Sequence, residues 1–288
     1  MFGRVSLVLL IIVAGALAAA SAAYQEDVAD EVVSTVQSLV STSSAASILP
    51  QVAAYAVFDP SDGTLLLAHN EDTPLAIASI TKLFSAMAIQ DVFDLDGRTT
   101  LGWSDLNAVG TAGRLEFGQE YTYRELLFPL LLSSSNNAAL TFERRARDQG
   151  TPLPEVMEQL AAQAGYPAVQ FADASGLSAR NQSTARDLAG LVAATRQQYS
   201  YVYAITSLRS YVGPYLAWGN NSPFIEDVHF SGGKHGFTNA AGRTAVALFT
   251  ETIEGIEVEI GYIILGSTNL PGDMSRLRSQ AVDLIQWQ

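Results

Sequence analysis

The chain predicts an α+β fold, and three observations carry that expectation. A strand–turn–strand signature opens the folded unit, helical periodicity fills the middle, and further strand-like runs precede a last amphipathic helix. One sheet must then unite segments from both ends of the chain.

The folded unit is expected to start near Gln51. Val52 to Phe58 is rich in β-forming residues, Asp59-Pro60-Ser61-Asp62-Gly63 is a strong turn, and Thr64 to His69 returns as a second strand. Helices are predicted over Ser79 to Val92, Tyr123 to Leu132, Asn137 to Arg147, Pro154 to Ala164 and Ala185 to Thr195. Strands are predicted over Tyr201 to Ile205, Val228 to Ser231, Thr244 to Thr250 and Ile256 to Leu265. The chain closes with a helix over Asp273 to Gln288, where Met274, Leu277, Ala281 and Leu284 trace one stripe.

Ahead of this unit lie two other segments. Arg4 precedes an uncharged run from Val5 to Ala23 that ends in alanine and serine, so residues 1–23 read as a secretory signal peptide. The same run is long enough to cross a bilayer uncleaved, and the membrane-anchor reading stands beside the first. Either way the protein is expected in the extracytoplasmic envelope, secreted or membrane-anchored. Residues 24–50 turn polar and serine-rich, with Val28, Val32, Val36 and Val40 at helical spacing, and read as a spacer.

Composition narrows the chemistry. With 48% hydrophobic residues in 288, a substantial core is available, and a formal charge of -13 argues against nucleic acid as a partner. The absence of cysteine excludes disulfides and thiolate chemistry. His69, His229 and His235 show no metal-ligand spacing, so neither a metal nor another cofactor is expected.

The most telling feature is the scarcity of lysine. Only Lys82 and Lys234 occur, and arginine carries the remaining positive charge. Arginine stays protonated in a protein, whereas a buried lysine near another cation loses its proton and acts as a base. Lys82 lies three residues after Ser79 in Ser79-Ile80-Thr81-Lys82, which puts both on one side of a helix start. A neutral amine there would activate the hydroxyl as a nucleophile. Ser134-Ser135-Asn136 falls in a break between two predicted helices, and the hydroxyl and carboxamide face the same way if that break is extended. Lys234-His235-Gly236-Phe237-Thr238 follows two glycines and reads as an edge strand able to receive an extended peptide, with Lys234 attracting its terminal carboxylate.

In order and spacing these elements resemble the penicillin-binding D-alanyl-D-alanine carboxypeptidases, serine peptidases that share a fold with class A β-lactamases. Supporting stretches run from Leu75 to Lys82, from Glu125 through Asn136 to Ala139, from Asp173 to Leu177 and from Asn181 to Ala189. The likeness covers roughly residues 51–288. It implies an antiparallel sheet flanked by helices, a helical subdomain and a site between them. It further implies that Ser79 attacks the carbonyl of the penultimate D-alanine of a peptidoglycan stem peptide while Lys82 takes its proton. Ser134 would pass that proton to the leaving group, Asn136 would hold the substrate amide, and Lys234 would bind the carboxylate. The backbone N–H groups of Ser79 and Phe237 would form the oxyanion hole, with Thr238 beside it, and β-lactam antibiotics would be covalent inhibitors. One departure stands out: His235 occupies the place where the family usually has a threonine that helps seat the carboxylate.

Three rival functions share these residues. A D,D-endopeptidase would cut cross-links through the same acyl-enzyme. A class A β-lactamase needs a glutamate that positions the deacylating water, and Asp173 to Asn181 contains none. A non-catalytic peptidoglycan-binding homologue has only His235 in its favour.

Overall fold

The computed structural model describes residues 51–110 and 113–285. The expected leader (1–23) and spacer (24–50) lie outside the described residues.

Two strands open the fold, β1 (Ala54–Phe58) and β2 (Leu65–His69), joined by the Asp59–Gly63 turn. The turn closes through its own polar side chains: Asp59 accepts from the Ser61 N–H and Asp62 from the Thr64 N–H. A two-residue strand β3 (Leu75–Ala76) leads into a short 3-10 turn, Ala78–Ile80, and then helix α1 (Thr81–Val92). Next come β4 (Arg98–Thr100), β5 (Glu120–Thr122), α2 (Tyr123–Leu131), α3 (Asn136–Asp148) and α4 (Leu153–Gln163). Strand β6 (Gln182–Ser183) pairs back onto β3 before α5 (Ala185–Arg196) and α6 (Ser200–Ser207). A small hairpin, β7 (Ser210–Val212) with β8 (Ala217–Gly219), precedes the three longest strands. These are β9 (Phe230–Thr238), β10 (Gly242–Ile253) and β11 (Ile256–Ser267), and helix α7 (Leu270–Ile285) ends the described chain.

The central sheet is antiparallel throughout, in the order β2-β1-β11-β10-β9. The first strands therefore pair with the last ones, as the α+β expectation requires. Burial sorts the sheet's residues into two sets. Val246, Leu248, Ile263 and Leu265 join the helical core that contains α1, α2, α3 and α5. On the opposite face Phe249, Tyr262 and Ile264 are buried where α7 packs, with Met274, Leu277 and Ala281 of its apolar stripe also buried.

The predicted helices and the long strands match the structure to within a few residues. Tyr201 to Ile205 does not: it belongs to α6, not to a strand. Its tyrosine, valine and isoleucine content favours β structure in isolation, but Val202, Tyr203 and Ile205 are buried at helical spacing, and packing overrides propensity. The expected strand over Val228 to Ser231 begins later, at Phe230; Val228 is exposed in the turn before it.

Candidate active site

Ser79 sits in the 3-10 turn that feeds α1, and a dense set of bonds fixes it. Thr81 donates its hydroxyl to the Ala78 carbonyl at 2.7 Å, Thr244 of β10 donates to the Ile77 carbonyl at 2.9 Å, and the Ile77 N–H donates to the Asn181 carbonyl. Ala78 is held at φ +48°, a left-handed conformation that costs a non-glycine residue about 1–3 kcal/mol. Such strain persists only where the surroundings over-determine it. Two glycines press from either side: a Cβ on Gly236 would come within 2.4 Å of the Ser79 nitrogen, and one on Gly176 within 1.9 Å of the Ala78 oxygen. The backbone of β9 and that of the 173–181 segment can approach the serine only because both positions lack side chains.

Lys82, one turn into α1, is fully buried, and its Nζ has three partners. They are Ser79 Oγ at 3.1 Å, Asn136 Oδ1 at 2.7 Å and the Ser175 carbonyl at 2.6 Å. The orientation of the Asn136 amide follows from its other contact, since Nδ2 donates to the Val109 carbonyl at 2.7 Å and Oδ1 must then face Lys82. Asn136 Oδ1 and the Ser175 carbonyl only accept, so a neutral amine directs its two N–H bonds to them. The remaining lone pair points at the Ser79 hydroxyl. Burial first, and then the positive charge of Lys234, hold this amine well below the usual lysine range, with Asp173 pulling weakly the other way.

Asp173 is kept from acting as a counter-ion by its own partners. One oxygen accepts from the N–H groups of Ser175 and Gly176 and from the Ser175 hydroxyl; the other accepts from the Ser178 N–H and from Asn181 Nδ2. Burial opposes its charge, but these donors outweigh burial and keep the carboxyl below its ordinary range. Asp173 thereby ties the loop that presents the Ser175 carbonyl to Lys82.

Strand β9 forms the other wall. Along it Lys234 and Gly236 face the helical layer, and alternation turns His235 and Phe237 to the opposite face. Lys234 is buried with Nζ 3.0 Å from the His235 carbonyl, and burial pushes its amine down to about 7. Of the two lysines, Lys82 is the first to be neutral. Burial and the charges of Lys234 and Arg243 pull the His235 imidazole down to about 3, so it is uncharged at neutral pH. The Gly233 N–H donates to Thr206 Oγ1 at 2.9 Å, hence away from β10. The register of β9 against β10 is unbroken from Gly233 to Thr238, so the Phe237 N–H points to the same free edge, beside the Ser79 nitrogen. Phe237 itself is 58% exposed. Thr238 accepts the Ala241 N–H at 3.1 Å and closes the β9–β10 turn.

The Ser134-Ser135-Asn136 break is not extended throughout. Ser134 lies at φ +58°, and Ser135 caps α3 by accepting the Ala138 N–H at 3.1 Å. The site thus joins Ser79, Lys82 and Asn136 directly. Lys234 acts on Lys82 through space, and Gly236 touches Ser79. Ser134 makes no hydrogen bond to either Ser79 or Lys82 among the described residues. Ser175 and Asp173 complete the site without having been singled out as site residues; the only sign of them was the Asp-Ala-Ser-Gly run. Among the described residues no group of histidine, aspartate and glutamate could hold a metal ion.

The model of the peptidase S11 family, D-alanyl-D-alanine carboxypeptidase, matches residues 41–266, and the chain belongs to that family. A D-alanyl-D-alanine endopeptidase from Pseudomonas aeruginosa is 31% identical over 199 residues, covering 66% of this chain and 64% of the relative. The match therefore spans less than two thirds of that relative's length. Among solved structures, a D-alanyl-D-alanine carboxypeptidase from Mycobacterium tuberculosis superposes with a TM-score of 0.71 at 24% identity, covering 80% of this chain and 90% of that one. Penicillin-binding protein D2 from Listeria monocytogenes, in its cefotaxime-bound form, gives 0.70 at 22% identity, with 82% and 97% covered. At these identities the likeness establishes the fold, that of the penicillin-binding D,D-peptidases.

Proposed function

We propose that this member of the D-alanyl-D-alanine carboxypeptidase family is a serine-type D,D-carboxypeptidase acting on peptidoglycan stem peptides and inhibited by β-lactams. The observation that carries the reading is the Lys82 amine, fully buried and 3.1 Å from Ser79 Oγ with both N–H bonds directed elsewhere.

Ser79 Oγ attacks the carbonyl of the penultimate D-alanine while its proton passes to the Lys82 lone pair. Negative charge gathers on the carbonyl oxygen, where the N–H groups of Ser79 and Phe237 converge. The terminal carboxylate sits near Lys234. Its charge stabilises the protonated form of Lys234 and so reinforces the neutrality of Lys82. Collapse of the tetrahedral species returns the proton to the departing D-alanine amine, with Ser134 as the relay. Water then releases the acyl-enzyme. Asn136 both anchors Lys82 and offers its amide to the substrate backbone. His235 replaces a hydroxyl with a neutral imidazole that can still donate one hydrogen bond, and Thr238 lies further along the same strand.

Slow hydrolysis of penicillin follows from the same site. The 173–181 segment has no glutamate, and Asp173 holds backbone donors with both oxygens instead of a water. Fast nitrocefin turnover would favour the β-lactamase reading. The match to an endopeptidase favours a second reading, cleavage of D,D cross-links by the same acyl-enzyme. Labelling by a fluorescent penicillin that disappears in Ser79→Ala tests the enzyme against a non-catalytic binding homologue. Mass analysis of a pentapeptide and a cross-linked muropeptide after digestion separates carboxypeptidase from endopeptidase. We assign the protein to the extracytoplasmic envelope, secreted or membrane-anchored, on the apolar run of residues 5–23. Fractionation of cells expressing the full chain tests that.

A further inference from the structure

The chain carries 29 acidic and 16 basic residues, so an arginine without a carboxylate partner is unusual in it. Every described arginine pairs with aspartate or glutamate except three: Arg114, Arg180 and Arg243. All three stand on segments that build the site. Arg114 follows the loop whose Val109 carbonyl orients Asn136, and it donates to the Ala217 carbonyl at 2.6 Å. Arg180 lies in the segment whose Ser175 carbonyl holds Lys82; it is exposed, and its guanidinium has no hydrogen bond or ion pair among the described residues. Arg243 is the cross-strand partner of Phe237, with its guanidinium 5.4 Å from the exposed ring.

Lys234 already serves a terminal carboxylate in the reading above, on which this inference rests. The unpaired arginines leave the rim of the cleft positive in an otherwise acidic protein, an arrangement that draws in further negative charge. We infer that the cleft selects stem peptides bearing free side-chain carboxylates beside the scissile bond over their amidated counterparts, with Arg180 and Arg243 as the specificity-determining pair. A carboxamide matches a carboxylate in shape but lacks the charge these two arginines attract.

The test uses two synthetic peptides ending in D-Ala-D-Ala, identical except that one carries free side-chain carboxylates and the other carboxamides. For the parent protein the ratio of kcat/KM, acid over amide, is expected to be about fivefold at low salt, the sum of two modest exposed pairings. The ratio falls toward one at roughly 0.5 M salt, because exposed charges are screened. It also falls toward one in the R180Q/R243Q variant, and R180K/R243K, which keeps the charge, retains most of it. A structural role for these exposed side chains would change both peptides alike and leave the ratio unmoved. Equal cleavage of both peptides by the parent, or an unchanged ratio in R180Q/R243Q, overturns the inference and leaves the peptidase reading standing. Cleavage of neither peptide overturns both.

Discussion

The two faces of the central sheet bury cations in opposite ways. On the helical face, Lys82 and Lys234 are buried without a carboxylate ion pair, and both amines are pulled below the ordinary lysine range. On the α7 face, Arg278 is held between Glu251, at 2.7 Å, and Asp227, and its guanidinium lies 3.7 Å from the centre of the Phe249 ring. Burial opposes that charge too, but hydrogen bonds to Glu251 and Asp227 outweigh it and hold Arg278 protonated. Tyr262 completes the cluster by donating to Glu251 at 3.0 Å. A buried cation with counter-charges is a structural tie. A buried amine without them is a base.

The sharpest way to break this contrast is to make the reactive face resemble the structural one. Lys82→Arg keeps the positive charge but cannot lose its proton, so acylation by a fluorescent penicillin should slow by about 10³-fold, the usual contribution of a general base. Normal labelling of that variant would place the base elsewhere. The converse change is Arg278→Met, which strands Glu251 and Asp227. It should cost about 3 kcal/mol, the lower end for breaking a buried pair because Asp227 is partly exposed. Urea denaturation would register the loss, while labelling of the folded fraction stays at the parental rate. A stability change below roughly 1 kcal/mol, the range of exposed ion pairs, would mean that the cluster is not a tie.

A milder change separates the two lysines. Lys234→Ala should lower kcat/KM by about 30-fold on carboxylate-ended peptides, near the loss of one charge-assisted contact, and much less on neutral esters. Equal losses on both substrates would remove the carboxylate role. The smallest effect is on pH dependence. Acylation needs neutral Lys82 and therefore rises with pH as Lys82 loses its proton, while carboxylate binding weakens as pH climbs past about 7 and Lys234 discharges. Without Lys234 one cause of the depressed Lys82 value is gone, so the acid limb of the acylation profile should move to higher pH. A limb that stays put would mean that burial alone tunes Lys82.

How legible each part was depended on whether side-chain chemistry encodes it. The Ser79–Lys82 spacing and the two solitary lysines could be read directly, because a base of this kind requires a lysine and helical spacing brings it to the hydroxyl. The edge position of β9 followed from the glycines ahead of Lys234. The Ser175 carbonyl could not be read as a partner for Lys82, since any residue supplies a carbonyl. The left-handed turns at Ala78 and Ser134 were equally hidden: neither residue is the glycine or asparagine that usually marks them. Two- and three-residue strands such as β3 and β6 are too short to show a period, and α6 was misread because its β-forming residues are recruited to a helix by packing on β9.

The contrast between the faces rests on the protonation of one amine, and the rarity of lysine makes it measurable. Protein labelled with ¹³C and ¹⁵N in lysine should give only two side-chain amine signals, with Lys234→Ala assigning them. Titration should find Lys82 still neutral around pH 8 and its midpoint far below that of free lysine. A Lys82 signal that titrates near 10.5 would contradict the account.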